Sequence, residues 1–289
     1  MKIKILIPVY NDWQSVFKLI EEIDQLQISE KFQISILIVN DASNHDRSTE
    51  EKKFGNIQSI KILNMSKNQG HARCIATGLK YLFEKDDFEY VIPMDGDGED
   101  RPEEIIEFLN EVKNSNNKTI VGERVKRSED LKFKICYALH KIFTLVFTGQ
   151  LIKFGNFTCL PKSVVEKMIN EKATWNSFSG SLKKIERNLV SIPSVRGKRY
   201  FGPSKMSFYN LIKHSLSIIS VFRKTFLIRS ALFIILYILL IKSNASVITA
   251  IPIICLLVAV YLISNLSLRE NLDEFKNSLK KIKNIDIIQ

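Results

Sequence analysis

Hydrophobic and polar positions along the chain alternate between two periods. Ile3 to Val9 is a continuous apolar run of strand length, and Val16, Leu19, Ile20 and Ile23 follow at helical spacing. A second apolar strand is predicted over Ile34 to Val39 and a third over Ile60 to Met65. A helix from about His71 to Phe83 precedes a strand from Tyr90 to Met94. Pro102 is expected to open the next helix, where its missing N–H costs little, and Ile120-Val121 marks a fifth strand. Strands alternating with helical segments predict an α/β fold with a mostly parallel sheet covered on both faces. Beyond it the pattern predicts a helix over Leu131 to Thr148, a short strand over Asn156 to Leu160 and a helix started by Pro161.

The last quarter changes character. Ser204 to Phe222 reads as an amphipathic helix, with Phe208, Leu211, Leu216, Ile219 and Phe222 on one side. Phe226 to Ile241 is apolar except for Arg229 and Ser230, and Ala245 to Ile263 is apolar apart from Ser246 and Thr249. At 1.5 Å per residue, about 16 residues span roughly 24 Å, slightly under the ~30 Å hydrocarbon core of a bilayer. Both runs are apolar on every face and lie beside a basic segment, which favours two membrane helices over a buried hairpin of a soluble domain. Arg223 and Lys224 precede the pair with Arg229 near its outer end, Arg269, Lys276, Lys280, Lys281 and Lys283 follow it, and the connecting loop carries only Lys242. The positive-inside rule then places both ends in the cytoplasm and the loop outside, as a multi-pass protein of the cytoplasmic membrane.

Composition narrows the classes. The 289 residues are 45% hydrophobic and 25% charged, which excludes whole-chain disorder, and 7 Pro with 11 Gly exclude collagen-like chains. The four cysteines lie far apart with no CxxC pair, so neither a disulfide scaffold nor a structural zinc site is expected, and a reducing compartment fits. The net charge of +11 suits nucleic acid, an anionic membrane surface or a phosphate-bearing substrate.

Candidate chemistry lies at the ends of the predicted strands. Met94-Asp95-Gly96-Asp97-Gly98-Glu99-Asp100 directly follows an apolar strand, where open α/β sheets bind ligands. Asp95 and Asp97 are two apart, and Gly96 lets both approach one ion. Their hard oxygens suit Mg²⁺ or Mn²⁺ shared with substrate phosphates. The competing reading is an acidic turn with Asp100 capping the helix at Pro102. Asn40-Asp41-Ala42-Ser43 ends the second strand and Pro8-Val9-Tyr10-Asn11-Asp12 the first. Three polar loops after three successive strands read as one crevice. Neither the GxGxxG dinucleotide fingerprint after the first strand nor a GxxxxGK[ST] phosphate loop is present.

These segments, with Asn68-Gln69-Gly70-His71, Ala72 and Gly78, resemble family 2 glycosyltransferases of GT-A fold, a Rossmann-like architecture. The similarity is strongest to the membrane-attached branch of dolichyl-phosphate mannose synthase and bacterial polyprenyl-phosphate sugar transferases. Arg199-Tyr200-Phe201-Gly202-Pro203-Ser204-Lys205 resembles its basic RxxGxSK loop, and the apolar hairpin also fits it. The resemblance implies that Pro8, Tyr10, Asp12 and Asp41 border the nucleotide. It implies that Asp95 and Asp97, with Glu99 nearby, hold Mg²⁺ or Mn²⁺ on the diphosphate. Arg199, Ser204 and Lys205 would meet the diphosphate or the acceptor phosphate. The chain departs from the branch in three places: Asp12 replaces the usual Glu, Asn40 the first of two Asp, and Phe154-Gly155-Asn156-Phe157-Thr158 the usual DPxSGF.

The expected organisation is a catalytic domain over 1–203, a juxtamembrane helix over 204–224, two membrane helices over 225–265 and a basic cytoplasmic tail over 266–289. The reaction implied is inverting, metal-dependent transfer of a hexose from a UDP- or GDP-linked sugar to polyprenyl phosphate. Membrane lipid would be a partner and nucleic acid would not; homo-oligomerisation is left open. The alternative is transfer to a sugar hydroxyl in lipid-linked glycan, O-antigen or other envelope polysaccharide assembly. That chemistry needs a general base, for which Glu99 and Asp100 are the nearby carboxylates. Arg124, Lys126 and Arg127 read either as a phosphate clamp or as a solvated face. His71 is expected to be structural, His140 and His214 to lie on helix surfaces, and Trp175 to pack.

Overall fold

Strands form where the apolar runs lie. The computed structural model describes residues 1–45, 47, 53–115, 117–126, 131–203 and 208–289. In chain order the elements are β1 (Lys2–Val9), α1 (Trp13–Asp24), β2 (Gln33–Asn40), β3 (Ile57–Met65), α2 (His71–Lys85), β4 (Tyr90–Pro93) and α3 (Glu104–Asn114). Next come β5 (Thr119–Lys126), α4 (Leu131–Thr148), β6 (Phe154–Pro161), α5 (Lys162–Asn170), α6 (Phe178–Ile185) and β7 (Leu189–Val195). The chain continues with α7 (Phe208–Ser220), α8 (Arg223–Ile241), α9 (Val247–Ser267), α10 (Leu272–Lys276) and β8 (Ile282–Ile287).

The strands make one eight-stranded sheet in the order β7-β5-β6-β4-β1-β2-β3-β8. The centre is parallel: β1 pairs with β2 from Lys2 opposite Gln33 to Val9 opposite Asn40, and with β4 on its other side. Strand β6 runs antiparallel to both β4 and β5, and β7 is parallel to β5. Side chains alternate between two cores, as period two requires. Ile3, Ile5, Ile7, Ile36 and Ile38 face α1 and α3, whereas Leu6, Leu37 and Val39 face α2 and α5. With all four parallel strands so covered, every strand end at the carboxyl edge delivers its loop to one rim.

The sequence expectations are adjusted at four places. Strand β5 is far longer than Ile120-Val121, because β6 and β7 pair with it on both sides. Helix α3 starts at Glu104, with Pro102 in the turn before it, so Asp100 is not its cap. Helix α7 is described over Phe208–Ser220, and 204–207 lie outside the described residues. The segment expected to be a basic tail folds back instead. Phe275 of α10 is fully buried and stacks on Trp175 at 5.3 Å, and β8 pairs antiparallel with β3 from Lys61 opposite Ile287 to Met65 opposite Ile282.

Helices α8 and α9 are long and apolar enough to cross a membrane. They pack on α4 and α7 through Phe147, Ile219, Phe226, Leu256 and Ile263. The rest of their surface is apolar and exposed, Leu240 at 81% and Val247 at 85%. Helix α4 continues that surface with exposed Leu139, Ile142, Leu145 and Val146. Arg229 of α8 donates to the carbonyls of Leu145 and Val146 at 3.2 and 2.8 Å, capping the end of α4 from within the apolar pair.

Candidate active site

The loops after β1, β2 and β4 meet at the carboxyl rim. The first two are knitted together: Asn11 donates its amide to Ser43 Oγ at 2.9 Å, and its side-chain oxygen accepts from the amides of Asn44 and His45. After β4, Gly96 separates the two aspartates for reasons of space. A Cβ there would meet Val16 at 2.7 Å and Ile7 at 3.0 Å. Gly98 has φ +87 and supports the ring of Tyr200, which a Cβ would strike at 2.6 Å. The tight seat of this loop on β1 and α1, rather than flexibility, fixes where Asp95 and Asp97 stand.

Two carboxylate groupings result. Asp97 Oδ2 and Asp12 Oδ2 both pair with the guanidinium of Arg199, the latter at 2.9 Å. Asp12 also accepts from Ser15 Oγ at 2.7 Å, and Asp97 Oδ1 from the amide of Glu99 at 3.0 Å. Arg199 Nε is buried with no partner among the described residues. In the second grouping, Asp95 Oδ1 lies 2.9 Å from His71 Nε2 and 3.5 Å from Asn156 Nδ2. The Asp95 amide donates to Asp100 Oδ2 at 2.9 Å, and Arg124 sits 4.0 Å from Asp100 Oδ1.

Crowding of negative charge shapes the titration of the site. Burial opposes ionisation of Asp95, but His71 and Arg124 outweigh it and hold its carboxyl below the usual range. Asp97 is pushed up to about 6, by burial and then by the Asp95 charge, despite Arg199 and Arg196. Asp100 is pushed up to about 7 by burial and Asp95. For His71, burial disfavours the imidazolium, yet Asp95 raises its pKa overall.

Not every expected residue converges here. Pro8 is buried in β1, and Tyr10 is exposed at the rim. Asp41 is buried and turned to the head of α2, where its two oxygens accept from the amides of Gln69 at 2.6 Å and Gly70 at 2.9 Å. It supports a loop from below rather than facing the crevice. Glu99 pairs with Arg196, and among the described residues no three carboxylate, His or Cys side chains converge on one ion position. Arg127, Ser204 and Lys205 lie outside the described residues. His71, Asn156 and Arg196 enter the site without having been singled out for it. His71 lies in the Asn68-Gln69-Gly70-His71 segment and Asn156 in the segment that departs from DPxSGF, and the two segments meet at Asp95. Arg196 carried no signal beyond a charge near Arg199.

The donor set suits a hard divalent cation: Asp95 and Asp97 present oxygens at one strand end, and Asp97 is held where extra positive charge would relieve its repulsion from Asp95. With two such side chains, a cation would draw further oxygens from a bound phosphate and water.

Known proteins match this chain in sequence and in fold. The model of the family described as "Glycosyl transferase family 2" matches residues 4–172. The undecaprenyl-phosphate 4-deoxy-4-formamido-L-arabinose transferase of Klebsiella pneumoniae subsp. pneumoniae is 26% identical over 226 residues, covering 73% of this chain and 64% of that protein. The uncharacterized glycosyltransferase YkcC of Bacillus subtilis is 25% identical over 225 residues, 75% of this chain and 67% of that protein. The chain thus spans about two thirds of the length of these curated relatives. Among solved structures, glucosyl-3-phosphoglycerate synthase from Mycobacterium tuberculosis, in complex with Mn²⁺, UDP and glucosyl-3-phosphoglycerate, superposes with a TM-score of 0.54 at 11% identity. That match covers 78% of this chain and 79% of the other, and establishes the shared GT-A-like fold.

Proposed function

Because the chain belongs to glycosyl transferase family 2, we propose that it is a membrane-bound, inverting enzyme that moves a hexose from a UDP- or GDP-linked donor to a polyprenyl phosphate. The observation that carries this reading is Arg199. It binds Asp97 and Asp12 at the rim and stands nine positions before α7, which leads into the two apolar helices. A cation able to bind phosphate, beside the carboxylates and in the stretch of sequence that leads to the apolar hairpin, supports this reading. The Klebsiella relative is named for undecaprenyl phosphate, which supports the same acceptor class.

Asp12, Tyr10 and the loop braced by Asp41 border the nucleotide, with Asp41 acting through the amides it holds. Asp95 and Asp97 would hold Mg²⁺ or Mn²⁺, which when bound neutralises the diphosphate and aids its departure. Arg124 and Arg199 offer guanidinium donors to phosphate oxygens. Ser204, Lys205 and Arg127 are assigned to the same phosphates. Attack on the face opposite the leaving diphosphate inverts the anomeric centre. An acceptor phosphate is already anionic and needs no base to deprotonate it. Glu99 is paired with Arg196 and Asp100 accepts from the Asp95 amide, which supports an acceptor that needs no base from either.

Helices α8 and α9 are proposed to anchor the enzyme. The return of α10 and β8 to the catalytic sheet supports an even number of crossings, with both flanks on the same, cytoplasmic, side. Calorimetry with UDP and GDP tests the donor assignment. One nucleotide should bind only with Mn²⁺ or Mg²⁺ present, and Asp97→Ala should abolish that binding; metal-independent binding would refute it.

A further inference from the structure

The residues after α9 do more than return to the sheet. Glu274, in α10, accepts three hydrogen bonds. The Trp175 indole donates to its Oε2 at 3.0 Å, Arg73 to its Oε1 at 3.2 Å and Lys281 to its Oε1 at 2.6 Å. Arg73 lies in the first turn of α2. Lys281 also donates to Gln69 Oε1 at 3.2 Å, immediately ahead of that turn. Both cations lie over the face of Trp175, at 4.9 and 5.5 Å from its centroid.

Docking of the segment needs none of this polarity. Phe275, fully buried against Trp175, and the pairing of β8 with β3 already provide it. A charged side chain among cations is a costly means of packing but a directional means of setting geometry. The geometry it sets is that of residues 69–73. These residues offer the Gln69 and Gly70 amides to Asp41 and bring His71 to Asp95. One short turn thus joins the post-hairpin segment to Asp41, which braces it from below, and to Asp95 at the rim.

We propose that the segment after the second apolar helix is a positioning element of the donor site, with Glu274 as its pivot: through Arg73 and Lys281 it fixes the first turn of α2 against Asp41 and Asp95. This rests on the reading that Asp95 and the loop braced by Asp41 border a nucleotide donor. Glu274 is a positioning residue and touches no substrate.

The experiment uses the full chain in lipid nanodiscs and compares wild type, Glu274→Gln, Lys281→Met and Lys172→Ala. Lys172 bridges to Glu270 at 3.6 Å, so it also holds the returning segment, but from outside α2. The first readout is amide exchange without ligand over residues 68–75. Glu274→Gln should accelerate it about tenfold, the scale of a typical coupling between sites. Lys281→Met should act in the same direction, and Lys172→Ala should leave it at the wild-type rate. The second readout is donor kinetics: KM should rise about tenfold in Glu274→Gln while kcat stays within about twofold. Unchanged exchange in both Glu274→Gln and Lys281→Met, or equal acceleration by Lys172→Ala, would overturn the proposal. So would faster exchange with an unchanged donor KM. Wild-type protein that binds no nucleotide would instead overturn the proposed function, and the exchange readout would still decide whether Glu274 holds the turn.

Discussion

The parallel half of the sheet and the α8–α9 pair use the same residue types to opposite ends. Ile5, Ile7 and Ile38 are fully buried between helices, whereas Ile248, at 76% exposure, and Leu240, at 81%, stand outside. In the sheet the apolar residues alternate and leave strand ends free to carry carboxylates. In the hairpin they cover every face, and the one charge within the run from Phe226 to Ile241 is Arg229, which caps α4. Burial in the first case is internal. In the second, under the proposed anchoring, it would come from lipid, at about 25 cal/mol per Å² of apolar surface removed from water. The difference is that one chain carries both a carboxylate rim and an exposed apolar surface; under the proposed function the first handles phosphate, the second meets lipid, and the stretch around Arg199 links them along the sequence.

The joint between the two regions is where the comparison breaks most readily. Phe275 is fully buried on Trp175, so Phe275→Ala should cost about 3–5 kcal/mol. Thermal melting in detergent should show it, with β8 released from β3. Next in size is Asp97→Ala at the rim, which should lower transfer about 100- to 1000-fold. Its melting should be no lower than wild type, because burial and Asp95 already disfavour the Asp97 charge in the folded protein. Near-normal turnover in the folded variant would remove Asp97 from the site.

On the hairpin side, Leu257 is half exposed within α9. Leu257→Arg should disfavour membrane insertion by about 2.5–3.5 kcal/mol, read as a loss of the carbonate-resistant membrane fraction. A soluble, fully active protein truncated after Lys224 would show that the hairpin is dispensable. Smallest is the effect of acid on the Glu274 cluster. Burial works against its charge, but Lys281, Trp175 and Arg73 outweigh it and hold its carboxyl below the usual range. A lowered folded-state pKa gives stability that is present above the unfolded value of about 4.5 and lost as pH falls through the folded one. Wild type should therefore lose more melting temperature below about pH 4.5 than Glu274→Gln does.

Much of this was legible in the sequence because the central strands are continuous apolar runs and their loops are short and polar. The apolar pair and the position of Asp95 and Asp97 followed from the same contrast. Strand β8 did not, because Lys283, Asn284 and Asp286 interrupt its isoleucines, and a half-exposed edge strand has the composition of a tail. Asp41 was placed beside the nucleotide, yet its partners are amides 28 and 29 residues away, a relation set by tertiary packing. His71 was read as structural, since nothing local indicates that the head of α2 points at Asp95. Asp100 looked like a helix cap until the helix began at Glu104 and the carboxylate turned to the Asp95 amide.

The central claim is that the rim and the hairpin serve one reaction, transfer of a sugar from a nucleotide to a lipid phosphate. The direct measurement is mass spectrometry of lipid products. Full-length protein in nanodiscs would be supplied with Mn²⁺, a panel of UDP- and GDP-sugars and a polyprenyl phosphate. The expected product is a polyprenyl-phosphate hexose, formed with release of the nucleoside diphosphate and reduced about 100- to 1000-fold with Asp97→Ala. Transfer to a sugar hydroxyl with none to polyprenyl phosphate would contradict it.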